Sequence, residues 1–302
     1  MRCLLTGSSG FLGQVILKSM LKNNWDVRTI GRNEYSNFRV DLTKLIDVDL
    51  GKNYETIIHC AGKAHVIPKN KEEEDDFFNV NVGGTKNLLE AISSSRCYPK
   101  LFILISTVAV YGKASGTSIT EAEQLCATDP YGRSKIEAED LVLRWCTENA
   151  VSVSILRLPL VVGDMAPGNL GAMIKGIGRG TYFNISGGRA RKSMILAEDV
   201  ADIIASGNLK AGIFNLTDGQ HPTFAQLSNQ ISQYLCRKSP KNIPFWVAKS
   251  FALIGDLVGS KFPVNSKLLL KITSDLTFSD YKAVNELNWK PRSVIGFFKT
   301  KR

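Results

Sequence analysis

A hydrophobic run followed by regularly spaced glycines begins this chain. Residues 4–13 read LLTGSSGFLG, with glycine at positions 7, 10 and 13. Glycine tolerates positive φ and lets the backbone approach a pyrophosphate, which can rest on the N-terminus of the following helix. The spacing is GxxGxxG, whereas the dinucleotide-binding fingerprint is GxGxxG, and a packing role for the glycines gives the same pattern. The segment predicts a strand, a tight phosphate-binding turn and a helix.

Short apolar strands and amphipathic helices alternate along the first half of the chain. Such alternation is typical of right-handed βαβ units and of a parallel sheet that is covered on both faces. The sequence therefore predicts an α/β fold, a Rossmann-type doubly wound parallel sheet with a smaller C-terminal substrate lobe. The predicted strands are 3–7, 25–31, 56–62, 101–107 and 152–158, and the predicted helices are 11–24, 77–94 and 134–148.

The composition changes after about residue 165, where the glycine-rich stretch MAPGNLGAMIKGIGRG begins. We expect residues 1–165 to form an NAD(P)-binding Rossmann domain. Residues 166–302 should mainly form the substrate lobe, which closes over the carboxyl edge of the sheet. One strand near residues 212–217 should return from this part of the chain to the main sheet.

Charge and cysteine usage limit the classes of partner. The net charge of +10 suggests an anionic partner, but the basic residues are dispersed and no nucleic-acid motif accompanies them, so no nucleic-acid partner is predicted. The six cysteines lack metal-ligand spacing and have apolar neighbours, which indicates reduced thiols and no metal site. No apolar run reaches membrane-spanning length, and the amino terminus does not resemble a signal peptide. We therefore expect a cytoplasmic protein without an integral membrane segment.

The end of the second predicted strand bears on the choice of cofactor. An acidic residue there would bind the 2′-hydroxyl of the NAD ribose. This chain has Gly31 and Arg32 instead, which leave room and positive charge for a 2′-phosphate. Arg32 thus favours NADP(H), with NAD(H) and a solvated loop arginine as alternatives. Asp41 is either an acceptor for the adenine edge or a turn residue.

A tyrosine and a lysine four residues apart form the candidate catalytic pair. Residues four apart, such as Tyr131 and Lys135, fall on one face of a helix. An ammonium beside a phenol stabilises the phenolate, so that Tyr131 could act as an acid or a base. The preceding strand ends in Ser106 and Thr107, whose hydroxyls could hold a substrate oxygen.

Several ordered motifs together resemble the extended short-chain dehydrogenase/reductases, in the NAD-dependent epimerase/dehydratase branch that includes nucleotide-sugar 4-ketoreductases and UDP-glucose 4-epimerases. The resemblance runs from Met1 to about Trp289. Its motifs are TGSSGFLG at 6–13, HCAG at 59–62, NVNVGGTKNLL at 79–89, ISTVAVYG at 105–112, YGRSK at 131–135, LRLPLVVG at 156–163 and LNWKP at 287–291.

The resemblance implies a role for each matching position. Thr107, Tyr131 and Lys135 would be catalytic, with Tyr131 as acid/base and Lys135 tuning it and binding the nicotinamide ribose. The residues implied to bind the cofactor are Gly7, Ser9, Gly10, Phe11, Leu12, Gly13, Arg32, Asp41, Leu42, Ala61, Gly62, Lys63, Asn81, Ser106, Tyr131, Lys135, Leu158 and Pro159. The residues implied to bind a nucleotide-sugar substrate are Lys63, Thr107, Val108, Tyr131, Asn169, Arg191 and Lys192, and either Arg191 or Lys192 would take the phosphate.

The residues after Thr107 bear on the reaction class. Dehydratases of this family carry an Asp-Glu pair there, because elimination of water needs an additional acid and base. Val108 and Ala109 do no proton chemistry, so a dehydratase is disfavoured. With Arg32, the resemblance favours an NAD(P)-dependent oxidoreductase that reduces C4 of a UDP-4-keto-6-deoxy-HexNAc in the synthesis of surface-polysaccharide precursors.

Two alternatives to the reductase stay open. One is a UDP-hexose 4-epimerase of the UDP-glucose or UDP-GlcNAc type with tightly bound NAD. The other is a non-catalytic dinucleotide-binding protein, which the joint presence of Thr107, Tyr131 and Lys135 disfavours. The resemblance also implies a homodimer.

Two further features are interpreted as structural. His59 ends an apolar strand and is expected to be a buried histidine with satisfied hydrogen bonds. Phe245, Trp246 and Phe251 have helical spacing and are expected to pack in the core or in the lobe. If they were exposed, they would indicate a dimer face or a membrane-contact patch.

Overall fold

A seven-stranded, all-parallel sheet forms the centre of the part of the chain that the structure describes. The structure is a computed structural model, and it describes residues 1–51, 53–64, 66–96, 98–164, 166–258 and 265–300. The strand order is β11-β7-β5-β4-β1-β2-β3, and every neighbouring pair is parallel. The strands are β1 (Arg2–Thr6), β2 (Asp26–Gly31), β3 (Phe38–Arg39), β4 (Thr56–His59), β5 (Leu101–Thr107), β7 (Ser152–Leu158) and β11 (Gly212–Asn215).

The order reverses between β1 and β4, which are neighbours in the sheet but lie far apart in sequence. Such a reversal opens a crevice at the carboxyl ends of the strands, where doubly wound folds bind their ligands. The predicted Rossmann-type doubly wound sheet is confirmed.

Six shorter strands pair two by two outside the main sheet. They pair β8 (Leu160–Val162) with β10 (Met194–Leu196), β9 (Phe183–Ile185) with β12 (Lys241–Ile243), and β6 (Gly116–Ile119) with β13 (Leu276–Phe278). The β8–β10 and β6–β13 pairs join the second half of the chain to segments that follow β7 and β5, whereas the β9–β12 pair lies within the second half.

Helices cover both faces of the sheet and build the smaller part. The predicted helix at 77–94 is a continuous rod, in which a π-helical turn at Asn79–Gly83 joins α2 to α3. The helices are α1 (Phe11–Lys22), α2 (Lys71–Phe78), α3 (Gly84–Ser95), α4 (Pro130–Glu148), α5 (Gly168–Arg179), α6 (Ala197–Ala205), α7 (Phe224–Tyr234), α8 (Phe245–Val258), α9 (Ser266–Thr273), α10 (Tyr281–Leu287) and α11 (Val294–Thr300).

Two hydrophobic layers sandwich the main sheet. One layer includes Ile16 of α1, Ile204 of α6 and Leu287 of α10. The other includes Leu88 of α3 and Val142 of α4. The second half of the chain therefore contributes β11, α6 and α10 to the body of the main sheet as well as building the smaller part.

Helix α8 differs from the sequence-based expectation of packed aromatic residues. Phe245, Trp246 and Phe251 are exposed, and the helix instead buries Ala248 and Ala252. The prediction of core or lobe packing for these three aromatic residues is therefore wrong. The elements packed against α8 instead meet its small residues, Ala248 and Ala252.

Among the described residues, Cys3, Cys60, Cys126, Cys146 and Cys236 are free thiols, and Cys97 lies outside the described residues. No helix in the described ranges is long and apolar enough to cross a bilayer.

Candidate active site

The three glycines of the first turn have different structural roles. A Cβ on Gly13 would lie 2.0 Å from the carbonyl oxygen of Gly7, and a Cβ on Gly7, at φ +72°, would lie 2.6 Å from the amide nitrogen of Ala61. Both are therefore glycine because the first strand, its helix and the loop after β4 approach one another closely. Gly10 is exposed, and its Cβ would make only an ordinary 3.4 Å contact with Gly7.

The turn around Gly10 fits a dinucleotide pyrophosphate. Gly10 is the N-cap of α1, so the amides of Phe11, Leu12 and Gly13 have no acceptor within the helix and are available to phosphate oxygens. The exposed side of Gly10 leaves the space that a Cβ would fill. Ser9 is exposed beside it, with its carbonyl accepting from Gln14 at 3.0 Å. The pyrophosphate prediction fits this cradle.

The side chain of Phe11 does not face the open side of the turn. A Cβ on Gly163 would lie 2.9 Å from its ring, and Phe11 packs against the hydrophobic cluster that holds Leu170 and Leu227. Its backbone amide remains available to a phosphate, whereas its ring connects the first turn to the smaller part of the molecule.

The end of β2 presents Arg32 to solvent. Arg32 is exposed, and its positive charge helps to lower the pKa of Asp41. The larger causes of that lowered pKa are hydrogen bonds from the Thr43 amide and hydroxyl to the Asp41 carboxylate, at 3.0 and 2.9 Å. Asp41 thus forms a turn within its own loop, which is the second of the two roles left open for it. Leu42 accepts a hydrogen bond from Asn87 through its carbonyl.

His59 is a structural residue, as expected. Its Nδ1 lies 2.8 Å from the Thr6 hydroxyl, and its Nε2 lies 2.9 Å from the Thr85 hydroxyl. The Thr85 proton is donated to the carbonyl of Asn81, so Nε2–H must donate to Thr85, and Nδ1 accepts from Thr6. Burial, assisted by the charge of Lys135, lowers the pKa of His59 to about 3. The neutral ring therefore joins β1, β4 and α3.

The side chain of Asn81 hydrogen-bonds to other residues of the chain, whereas the family resemblance implies that it binds the cofactor. It is buried, its side-chain oxygen accepts from the amide of Lys63 at 2.7 Å, and its nitrogen donates to Ser134 at 2.9 Å. A Cβ on Gly62 would approach that oxygen to 3.0 Å. Asn81 therefore fixes the loop of Ala61, Gly62 and Lys63 against the helix that carries Tyr131.

The ammonium group of Lys63 turns toward α2. It lies 2.8 Å from the carboxylate of Asp76 and 5.3 Å from the ring centre of Phe77. The ring of Phe77 in turn lies 6.0 Å from that of Tyr131. Lys63 thus borders the site next to Tyr131 while its charge is paired with Asp76.

The ends of β5 and α4 bring Thr107 and Tyr131 together. Asp129 caps α4 by accepting from the amide of Gly132 at 3.0 Å. A Cβ on Gly132 would lie 2.5 Å from Ala127 and 3.0 Å from the carbonyl of Ala109, so only glycine lets the helix begin this close to the turn after Thr107. The Thr107 side chain lies close enough to the Tyr131 phenol to lower its pKa.

The direction of the Tyr131 pKa shift differs from the one that the sequence analysis predicted from the neighbouring Lys135. Burial raises the pKa of Tyr131, and the neighbouring Thr107 hydroxyl opposes this only in part. The expected lowering by the ammonium is not found, because Lys135 Nζ donates to the carbonyl of Ile105 at 2.8 Å. Burial also lowers the pKa of Lys135 itself to about 8, against the nearby charge of Glu139.

A buried polar network beneath these residues was not predicted from the sequence. Arg157 on β7 lies 2.7 Å from the carboxylate of Glu139 on α4, and it donates to the hydroxyl of Tyr111 at 3.0 Å. Tyr111 donates onward to Asn215 on β11 at 2.8 Å. The sequence signal was Arg157 inside the apolar strand SVSILRL, whereas Glu139 stands among several other charged residues of α4 and gave no signal.

Ser106 belongs to this network and does not face the cofactor side, which corrects its predicted role. It is buried, and its hydroxyl donates to the carboxylate of Glu139. Of the two adjacent hydroxyl residues at the end of β5, Thr107 alone therefore lies beside Tyr131.

The predicted substrate residues lie on the carboxyl side of the sheet and on the smaller part. Lys192 is half-buried and donates to the carbonyl of Ser274 at 2.8 Å, whereas Arg191 is exposed. Burial lowers the pKa of Lys192 to about 8, and the charge of Lys271 lowers it further. Val108 is half-buried in the turn after β5, and Asn169 is exposed in the first turn of α5.

Leu158 and Pro159 lie where the main sheet passes into the smaller part. Leu158 is the last residue of β7 and is buried in the hydrophobic layer beside α1. Pro159 separates it from β8, so the chain changes direction at this point.

Curated relatives extend over nearly the whole chain. A UDP-glucose 4-epimerase of Vibrio cholerae is 28% identical over 98% of this chain and 93% of the relative. The N-acetyl-alpha-D-glucosaminyl-diphospho-ditrans,octacis-undecaprenol 4-epimerase of Escherichia coli O157:H7 is 26% identical over 92% of this chain and 87% of the relative.

Solved structures of similar fold cover the same length. The UDP-glucose 4-epimerase of Thermotoga maritima, solved with UDP-glucose, has a TM-score of 0.76 at 20% identity and covers 100% of this chain and 97% of its own. RMD from Pseudomonas aeruginosa, complexed with NADPH, has a TM-score of 0.74 at 20% identity and covers 97% of this chain and 94% of its own. These two likenesses support the fold.

The family follows from a match to more than half of the chain. The model of the NAD dependent epimerase/dehydratase family matches residues 3–207, which include the glycine turn, Thr107, Tyr131 and Lys135. The prediction of an enzyme in the extended short-chain dehydrogenase/reductase class is confirmed. The chain therefore belongs to the NAD-dependent epimerase/dehydratase family.

Proposed function

We propose that the enzyme reduces the C4 keto group of a UDP-linked 4-keto-6-deoxy-N-acetylhexosamine with NADPH. The observation that carries this proposal is Arg32, which is exposed directly after the last residue of β2 and suits the 2′-phosphate of NADPH, the cofactor that reductases commonly use. Tyr131 stands beside Thr107, and a phenol holds its proton at neutral pH, so Tyr131 can donate a proton to a ketone oxygen. Reduction of a ketone needs such a donor.

Tyr131, Thr107 and Lys135 have separate roles in this reduction. When bound, the nicotinamide supplies a hydride to C4, and the C4–O double bond becomes a single bond. Tyr131 gives its phenolic proton to the C4 oxygen, and Thr107 holds that oxygen by its hydroxyl. Lys135, one helical turn after Tyr131, donates to the carbonyl of Ile105 and so helps to hold α4 against β5, which keeps Tyr131 beside Thr107.

Neither residue after Thr107 supports elimination. Val108 and Ala109 form the turn that follows β5, and neither side chain exchanges a proton. Loss of water from a sugar would need a further acid and base at this position. Simple transfer of hydride and proton at C4 is therefore the chemistry that these residues favour.

The cofactor preference that we propose rests on Arg32. A nicotinamide dinucleotide is the cofactor class of this family. Arg32 is exposed directly after the last residue of β2, where a 2′-phosphate on the adenosine ribose would meet its guanidinium. Because Arg32, and not a carboxylate, directly follows β2, NADPH is favoured over NADH.

The diphosphate of the substrate would meet the smaller part of the molecule. Arg191 and Lys192 precede β10, and Asn169 lies at the N-terminus of α5, where helix amides favour an anion. Residues 1–165 would then bind the cofactor, and residues 166–302 would mainly bind the substrate, apart from the elements that return to the main sheet. A cytoplasmic site and a homodimer remain part of this proposal.

The second candidate is 4-epimerisation, which the relatives favour. Both full-length curated relatives are 4-epimerases, and one of them acts on a hexosamine diphosphate that is carried on undecaprenol. An epimerase oxidises C4 and then returns the hydride to the opposite face of the sugar, so it keeps its cofactor bound.

One pair of measurements separates the candidates. The protein is first denatured, the released nucleotide is identified by mass spectrometry, and dissociation constants for NADPH and NADH are measured on the stripped protein. The reductase predicts little bound nucleotide, preference for NADPH, and loss of that preference in Arg32→Asp. Stoichiometric NAD, with interconversion of UDP-GlcNAc and UDP-GalNAc or of their polyprenyl-linked counterparts, would establish the epimerase instead.

A further inference from the structure

Helix α8 buries its small residues and exposes its large apolar ones, which is the opposite of an ordinary surface helix. It buries Ala248, Ala252 and Gly255, whereas its large apolar side chains face outward. Trp246 is 72% exposed and Leu257 is 89% exposed. A surface helix ordinarily buries its large apolar residues and exposes polar ones. Packing against the described residues therefore does not explain the outward face.

Helix α9 extends this apolar surface. It meets α8 through Leu269, which packs with Ala248 and Ala252, and it exposes Leu268 and Leu270. We call the exposed set of the two helices the α8–α9 face. Its members are Phe245, Trp246, Phe251, Leu253, Ile254, Leu257, Val258, Leu268 and Leu270.

Strong positive charge surrounds this face. Residues 237–274 hold seven lysines and arginines and a single acid, Asp256, so that this segment carries more than half of the chain's net charge of +10. Five of these basic residues are exposed in the structure: Arg237, Lys238, Lys241, Lys249 and Lys271. Apolar and aromatic side chains bordered by lysines are the signature of a helix that lies in a membrane interface.

We propose that the α8–α9 face docks the enzyme on an anionic membrane surface. Helix α8 has 14 residues and lies along the surface of the protein, so its apolar side chains would enter the interface while the basic residues meet lipid phosphates. A symmetric pairing of two copies through this face would oppose two strongly positive segments, and anionic lipid neutralises them.

The end of α9 lies close to Lys192, one of the candidate substrate-binding residues. Lys271, near the end of α9, is close enough to Lys192 for its charge to lower the pKa of that residue. Lys192 also donates to Ser274, directly after α9. Docking through this face would therefore hold the Lys192 side of the cleft next to the membrane. The proposal does not depend on which reaction the site performs.

The test is sedimentation of the purified full-length protein with lipid vesicles. Vesicles of phosphatidylcholine are compared with vesicles that also contain phosphatidylglycerol. We expect binding to the anionic vesicles, weaker binding as salt is added, and a blue shift of tryptophan emission. Trp246 is the exposed tryptophan, since Trp25 and Trp289 are buried and Trp145 is half-buried, so the shift reports on α8.

Matched variants locate the contact. Trp246→Glu and Leu257→Glu should each weaken vesicle binding at least about tenfold, because each removes an inserted apolar side chain. Lys249→Glu should weaken it about fivefold or more at low salt. Tyr281→Glu changes an aromatic residue of α10 that is 75% exposed and should leave binding unchanged. Thermal midpoints and NADPH binding confirm that each variant is folded.

Three results would overturn the proposal. The first is the absence of vesicle binding by the folded protein, and the second is equal binding to neutral and anionic vesicles. The third is a dimer, measured by light scattering without lipid, that Trp246→Glu dissociates while vesicle binding is absent. That last result would assign the α8–α9 face to a second copy of the chain.

Discussion

The guanidinium of Arg157 lies 2.7 Å from the carboxylate of Glu139, and both side chains are almost completely buried, at 3% and 1% exposed. The pair joins β7 to α4 across the end of β5. Glu139 also accepts from Ser106, the residue before Thr107, and it lies one helical turn beyond Lys135. The strand that carries Thr107 and the helix that carries Tyr131 and Lys135 are thereby held in one arrangement.

Removal of the charge from Glu139 should destabilise the protein. In Glu139→Gln the Arg157 guanidinium stays buried without its counter-charge, which costs about 3 kcal/mol or more of unfolding free energy. Urea unfolding at neutral pH measures this. The control is Asp140→Asn, which removes a neighbouring exposed carboxylate. Equal effects of the two substitutions would show that the buried pair contributes no more than a surface charge.

Alanine substitutions at two glycines of the first turn should distinguish an effect on cofactor binding from an effect on stability. Gly10→Ala places a methyl on the exposed side of the turn, where the protein has room for it, so the thermal midpoint should change little. The same methyl obstructs the pyrophosphate, and the dissociation constant for NADPH should rise at least about tenfold.

Gly13→Ala is the matched comparison. Its methyl would lie 2.0 Å from the carbonyl oxygen of Gly7, so the backbone must shift and the fold should lose at least about 2 kcal/mol. Calorimetry and NADPH titration measure both variants. If Gly10→Ala bound NADPH like the unchanged protein, the turn would not hold a pyrophosphate.

Tyr131→Phe should abolish turnover without unfolding the site. The phenylalanine keeps the ring contact with Phe77 but cannot transfer a proton, so kcat should fall about 100- to 10,000-fold. NADPH binding and the thermal midpoint should stay near those of the unchanged enzyme. Thr107→Ser should keep most of the activity that Thr107→Ala loses, because serine retains the hydroxyl.

His59 should make the protein less stable in mild acid. Its pKa is about 3 in the folded protein and about 6.5 when unfolded, so between these values the unfolded chain binds the additional proton. This contribution to stability is fully present above pH 6.5 and falls by about 1.4 kcal/mol per pH unit as the pH drops toward 3.

Nitrogen-15 NMR checks the protonation state of His59 directly. The ring should remain neutral with the proton on Nε2 at pH 5, whereas in urea the histidines should titrate near their ordinary pKa of about 6.5. A protonated His59 at pH 5 in the folded protein would contradict the hydrogen bonds to Thr6 and Thr85.

Local pattern predicted the core of this fold. The strands at 101–107 and 152–158 have the predicted bounds, and the helix of Tyr131 and Lys135 exists but begins earlier, at Pro130, because Asp129 caps it. These features depend on residues close in sequence, on side-chain period and on capping, and such interactions act before distant parts of the chain meet.

Directions of individual side chains depended on distant partners. Asn81 and Ser106 stand at positions that the family resemblance assigns to the cofactor, yet Asn81 bonds to Lys63 and Ser134, and Ser106 bonds to Glu139. Sequence spacing tells which residues share a face of an element. It does not tell which polar group from another element will reach that face.

By itself, the sequence determined the glycine turn, the Tyr131–Lys135 spacing and the parallel α/β order, because each is encoded by neighbours along the chain. The tertiary structure alone decided that Arg157 pairs with Glu139 and that α8 buries its alanines and exposes Trp246. The physical reason is that burial is a property of two surfaces. A helix presents its faces by periodicity, but the element packed against it selects the one that leaves water.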